Sequence, residues 1–102
     1  MYRQGDVLLV PVATAELGRP IERDGQGRIV LALGEATGHA HAIHDHGAAL
    51  FFGANHEPGR FLQVTEPVTL RHEEHAAIPV PPGTYSVVQQ REYEPGDFTR
   101  YV

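Results

Sequence analysis

Apolar residues in this chain come in short runs that alternate with polar ones, not in the three-to-four-residue rhythm of an amphipathic helix. Val7–Val12 is apolar on both alternating faces, as expected of a strand buried on both sides. Ile21–Arg23 and Arg28–Leu33 flank Asp24-Gly25-Gln26-Gly27, where glycine supplies the positive φ of a hairpin turn, so the two segments are expected to pair. Gly34–Gly38 is the next turn, leading into His39–His44, and Asp45-His46-Gly47 separates that segment from Ala48–Phe52. Gly53–Arg60 reads as a loop, and Phe61–Thr65 and Val68–His72 read as a pair joined across Glu66-Pro67. Ile78–Val80 is an edge piece, because Pro79 has no N–H for a ladder. Thr84–Tyr93 is the longest predicted strand, and Glu94–Asp97 turns the chain into a last strand, Phe98–Val102. The best helical segment, Ala13–Leu17, is one turn at most between Pro11 and Gly18. The expectation is an all-β barrel or sandwich with little or no helix.

Length and charge narrow the function. A chain of 102 residues is enough for one domain with a single core. Thirteen acidic residues against eight basic ones, all of them Arg, give a net charge of −5. Such a chain lacks the general positive field that holds nucleic acid, leaving only a local Arg cluster or a metal for that purpose. With no Cys, thiolate zinc sites, iron–sulfur clusters, disulfides and Cys nucleophiles are excluded. The longest apolar run, Ile29–Leu33, is far short of a membrane span, and no apolar leader precedes Asp6, so the expectation is a cytoplasmic protein without a membrane partner.

The concentrated chemistry is histidine: all seven fall between positions 39 and 75. In a strand, His39, His41 and Ile43 share a face, and a rise of about 3.3 Å per residue separates the first two by about 6.5–7 Å, close enough to converge on one ion. Val68 and Leu70 set the inward face of their strand, which brings His72 to that face with Glu74 following it. If the chain tightens there, His72 and His75 align at i and i+3. Neutral imidazoles suit Zn, Mn, Fe or Ni, and Glu73 or Glu74 can complete the shell or act as base. The plain alternatives are solvent-facing histidines and a charged turn. His44 and His46 lie on the opposite alternation and should face solvent or a neighbouring subunit, and His56 lies in an exposed loop. Tyr85, Val87, Gln89, Arg91 and Tyr93 share a face whose polarity rises toward its C-terminal end. Arg91 there could clamp a phosphate and Tyr93 stabilise developing charge, against the simpler reading of an amphipathic strand tip.

The ordered blocks Arg3–Leu9, Gly34–His41, His72–His75, Pro82–Tyr85 and Gln90–Tyr93 resemble a family of small bacterial and phage proteins over nearly the whole chain. That resemblance implies that the blocks belong to one site and names no reaction. The chain also resembles cupins, small β-barrels with an HxH motif. His39 and His41 fit, Asp45 stands at the acidic position, and Pro81-Pro82-Gly83 matches the second motif. Where a later His is expected the chain has Ser86, so His72 or His75 would have to substitute.

Three functions follow. The first is a metal-dependent hydrolase of a phosphate ester or phosphodiester, with a divalent ion on His39, His41, His72 and His75 and with Glu73 or Glu74 as base. The second is a metal-free RNA-cleaving or cyclising phosphodiesterase using His acid–base chemistry with Arg91 and Tyr93. The third is a non-enzymatic, metal-stabilised assembly or regulatory module. Abundant edge strands favour a homo-oligomer, a dimer first.

Overall fold

The structure, a computed structural model, describes residues 1–34 and 38–90. Ten strands follow one another: β1 (Tyr2–Gln4), β2 (Val7–Val12), β3 (Leu17–Ile21), β4 (Ile29–Leu33), β5 (Ala40–Ile43), β6 (Ala48–Gly53), β7 (Arg60–Val64), β8 (Val68–Arg71), β9 (Ile78–Val80) and β10 (Gly83–Gln89). They form two antiparallel sheets, ordered β1-β2-β10-β7-β6-β3 and β4-β5-β8-β9. The described residues contain no helix, so none is long and apolar enough to cross a membrane. Of the predicted alternatives the arrangement is sandwich-like, with no closed barrel among the described residues.

One core joins the sheets. Val7, Leu9, Leu50, Leu62, Val64, Tyr85 and Val87 from the larger sheet pack with Ile29, Leu31, Ile43, Val68, Leu70 and Val80 from the smaller, all buried. Each such aliphatic side chain contributes about 1.5–3 kcal/mol of burial free energy, before the entropy of ordering it. β2 is buried over Val7–Leu9 as expected, then emerges at Val10–Val12.

A bent ribbon links the layers. β6 pairs with β7 in the larger sheet, and β5 pairs with β8 in the smaller. The two strands of the ribbon therefore cross between sheets together, at Asp45–Gly47 and at Thr65–Pro67. Gly47 O accepts both the Thr65 and Glu66 N–H groups at 2.8 and 3.2 Å, and a Cβ on Gly47 would stand 2.8 Å from Glu66 Cβ and O. The corner is closed backbone against backbone.

Three expectations are corrected. Phe61–Thr65 and Val68–His72 do not pair, because Glu66-Pro67 is a corner between sheets and not a hairpin turn. The Asp24–Gly27 turn forms, with Gly27 N donating to Asp24 O at 2.9 Å and Gly27 at φ 78°. Its flanks nevertheless pair elsewhere: Ile21 lies opposite Leu50 and Ile29 opposite Ile43. Turn chemistry fixes the local bend, whereas long-range burial chooses the partner. Ala13–Leu17 forms no helical turn, and Leu17 opens β3, an edge strand that tolerates Pro20. Residues 35–37 of the expected turn Gly34–Gly38, Arg91, Tyr93 and the expected strand Phe98–Val102 lie outside the described residues.

Candidate metal centre

The histidine-bearing segments meet at one end of the sandwich. Alternation carries β8 from buried Val68 and Leu70 to half-buried His72. A bend beyond β8 then turns His75 back, so the His72 and His75 rings lie 4.6 Å apart between centroids. On β5, His41 points inward like Ile43 and is only 3 % exposed. Its ring lies 4.3 Å from that of His72 and 5.7 Å from that of His75. His39, just ahead of β5, packs edge-on to His72 at 5.7 Å. All four sequence-predicted imidazoles therefore come together. One ligand atom each from His39, His72 and Glu73 lie within 4.8 Å of one another.

The two glutamates differ. Glu73 Oε1 accepts the Ala40 N–H at 2.9 Å, and this bond holds its carboxyl below the usual carboxylate range. A carboxylate stabilised in that way is a better ligand than base. Glu74 is mostly exposed and places Oε1 3.7 Å from His39 Nδ1. His44, His46 and His56 are exposed, as expected. Asp45 lies past the far end of β5, where its Oδ2 accepts the Thr69 N–H at 3.0 Å. Asp45 is thus a corner residue, and the cupin-like position expected for it in the site is not filled by it.

Gln4 and Asp6, which lie in the block Arg3–Leu9 but have no role of their own in the sequence pattern, are central. Gln4 is 2 % exposed and donates both amide hydrogens across the seam between the sheets, to Leu70 O and Ala76 O, each at 3.0 Å. Its Oε1 is left to accept, and it faces His41 Nδ1 at 2.9 Å. His41 therefore carries its proton on Nδ1, leaving Nε2 with a lone pair. That Nε2 lies 3.4 Å from Asp6 Oδ1. Burial, and next the neighbouring His72, push the His41 pKa down, while Asp6 pulls it up less strongly. His72 is the opposite case. Its Nδ1 accepts the Glu74 N–H at 3.0 Å, so the neutral ring carries its proton on Nε2 and must release that bond, or turn about χ2, to act as a ligand.

Gly5 and Asp6 form the two-residue turn between Gln4 and Val7, which are paired across the β1–β2 hairpin. Gly5 sits at φ 58°. A Gly-Asp pair ahead of an apolar run is a hairpin signal, and it adds a local cue to the resemblance that already places the block Arg3–Leu9 in the site. The end of β10 closes the same turn: Gln89 Nε2 donates to Asp6 Oδ2 at 3.0 Å and Gln90 N to Asp6 O at 2.7 Å. The polar end of the longest strand therefore opens beside the His cluster.

The other flank is a shallow depression of about 260 Å³, lined among others by Arg28, Arg71, His44, His72 and Glu73. Arg28 is already paired with Asp24 at 2.9 Å, whereas Arg71 is exposed. This is a two-sheet β-domain with a polyhistidine end. Its residues 3–90 match a family model described as a domain of unknown function, DUF8820, and the chain belongs to that family. No curated protein and no solved structure matches it.

Proposed function

We propose that the protein is a metal-dependent hydrolase of phosphate esters or phosphodiesters. The divalent ion, Zn, Mn, Fe or Ni, would be held among His39, His41, His72 and His75 with Glu73 as a carboxylate ligand. The observation that carries this reading is the gathering of four imidazoles and a stabilised carboxylate at one end of an otherwise apolar sandwich. A divalent ion bound there would supply a water of lowered pKa and a Lewis acid for the phosphoryl oxygen. Glu74, exposed beside His39, would serve as the general base there. Exposed Arg71 at the adjoining depression suits the anionic substrate, and Arg91 and Tyr93, outside the described residues, are the proposed phosphate clamp and donor to developing charge. The substrate is a small phosphate-containing molecule or RNA, taken up by a cytoplasmic homo-oligomer.

One observation favours a metal-free phosphodiesterase as the second reading. His41 presents a bare Nε2, a base, and His72 carries an Nε2–H, a hydrogen-bond donor for a phosphoryl oxygen, with the two rings 4.3 Å apart. Elemental analysis of protein purified without an affinity tag, followed by hydrolysis of bis(p-nitrophenyl) phosphate with and without chelator, separates them. Activity lost on chelation and restored by one metal is the expected result. Chelator-resistant cleavage that requires His41 and His72 overturns it in favour of the second reading. Stoichiometric metal without turnover overturns both and leaves a metal-stabilised assembly module.

A further inference from the structure

We propose that Asp6 is a ligand of the same divalent cation as His41, and that Gln4 is the positioning residue that commits His41 Nε2 to it. The proposal rests on the preceding reading only in requiring a divalent ion at this end of the sandwich, and not on any reaction. It follows from lone-pair accounting. Both amide hydrogens of Gln4 are taken by main-chain carbonyls, so its oxygen must accept from His41 Nδ1. His41 Nε2 is then an acceptor on a ring that is 3 % exposed, aimed at a second acceptor, Asp6 Oδ1, 3.4 Å away.

Two acceptors at that distance repel unless something positive lies between them. A water molecule needs hydrogen-bond distances of about 2.7–3.2 Å to each and fits poorly between atoms this close. A proton shared with Asp6 would draw the two atoms to about 2.7–2.9 Å, the length of a charge-assisted hydrogen bond, shorter than the 3.4 Å between them. A metal ion fits. Bonds of about 2.0–2.1 Å to nitrogen and about 2.0–2.2 Å to oxygen, closing on a separation of 3.4 Å, meet at about 110°, the tetrahedral angle.

The surroundings hold the pair in place. Asp6 is fixed by Gln89 through its other oxygen and by Gln90 through its backbone. An amide oxygen behind a ligating imidazole is the usual outer-shell device for fixing tautomer and ring plane, and its loss costs about 10–100-fold in metal affinity. The Asp6 side chain is about one-third exposed, which leaves the ion open to a water or a substrate oxygen.

The test is zinc titration of the full chain at about pH 7.5, with long-range ¹H–¹⁵N spectra of the metal-free protein. Asp6→Asn keeps the turn and the Gln89 contact but removes the charge, and is expected to weaken zinc binding about 10–100-fold. Gln4→Leu is expected to do the same and to abolish the Nδ1–H preference of His41. Because Gln4 is buried and bridges the sheets, the spectra of the wild type provide an arm that does not depend on that variant folding. His41 should be protonated on Nδ1, and an Nε2–H tautomer overturns the proposal whatever the metal does. Zinc binding that Asp6→Asn leaves unchanged removes Asp6 from the centre while the hydrolase reading stands. No zinc binding by the wild type overturns both.

Discussion

Gly5 is where backbone conformation and the His cluster meet, and Gly5→Ala separates the two. Its φ of 58° costs an alanine about 1–2 kcal/mol, because Cβ crowds the following carbonyl oxygen. The added methyl would also stand 2.9 Å from His75 Nε2 and 3.2 Å from His41 Cε1, closer than carbon and nitrogen tolerate, so one ring must shift. Two other glycines resolve the contributions. Gly27 has φ 78° and open space around its Cβ position, so Gly27→Ala carries the conformational penalty alone. Gly34 has no such φ, yet a Cβ there would come 2.8 Å from His39 Cβ and 3.0 Å from His72 Nε2. Gly34→Ala thus carries the crowding alone. Thermal melts should show Gly27→Ala and Gly5→Ala each lowered by about 4–16 °C, from about 4–8 °C per kcal/mol for a domain of this size. Zinc titrations should show lost affinity for Gly5→Ala and Gly34→Ala but not for Gly27→Ala. Equal zinc affinity in all three, or a Gly5→Ala protein that melts with the wild type, refutes this account of the space between His41 and His75.

Acid should destabilise the protein as pH falls below the ordinary histidine value of 6.5. The folded state takes up the His41 proton less readily than the unfolded chain, so the unfolded chain binds more protons there and stability rises with pH. Asp6, Glu73, His72 and His75 all act on that ring, and urea melts of His41→Gln between about pH 7.5 and 5.5 should show a flatter dependence than the wild type. Asp45→Ala should cost about 1–2 kcal/mol in urea melts by leaving the Thr69 N–H without its carboxylate, with zinc affinity unchanged; a large loss of affinity would return Asp45 to the site. Arg60 crosses from the larger sheet to donate to Leu31 O at 2.6 Å, so Arg60→Met should cost about 1–3 kcal/mol in the same assay.

What could be read from the sequence is what depends on a few neighbouring residues. Alternation of Val68, Leu70 and His72 predicts an inward His72, and two-residue spacing predicts that His41 shares the inner face with Ile43; both hold. β2 and β10 are visible for the same reason. Strand pairing is not local. Asp24–Gly27 is a good turn by every local rule, yet Ile21 and Ile29 go to different sheets because each sheet needs an apolar face over the same core. Gln4 is the extreme case. A single glutamine carries no pattern, and its role exists only once β8 and the segment after it bring two carbonyl oxygens to the opposite side of the seam.

That seam explains why the cluster lies where it does. In the middle of a sandwich an inward histidine would have to lose its hydrogen bonds, at a cost of about 1–3 kcal/mol or more. At the end, β1 and the tip of β10 from one sheet lie beside β5 and β8 from the other, and main-chain groups not consumed by the ladders can serve as partners. Gln4 uses the carbonyls of Leu70 and Ala76, Glu73 the N–H of Ala40, His72 the N–H of Glu74, and Asp6 the N–H of Gln90 through its own carbonyl. Gln4, Glu73 and Asp6 are therefore anchored to backbone of other segments, and the site exists only when both sheets have docked. A cation held there would bind the docked state alone, so it would stabilise the fold by mass action as well as serve the chemistry.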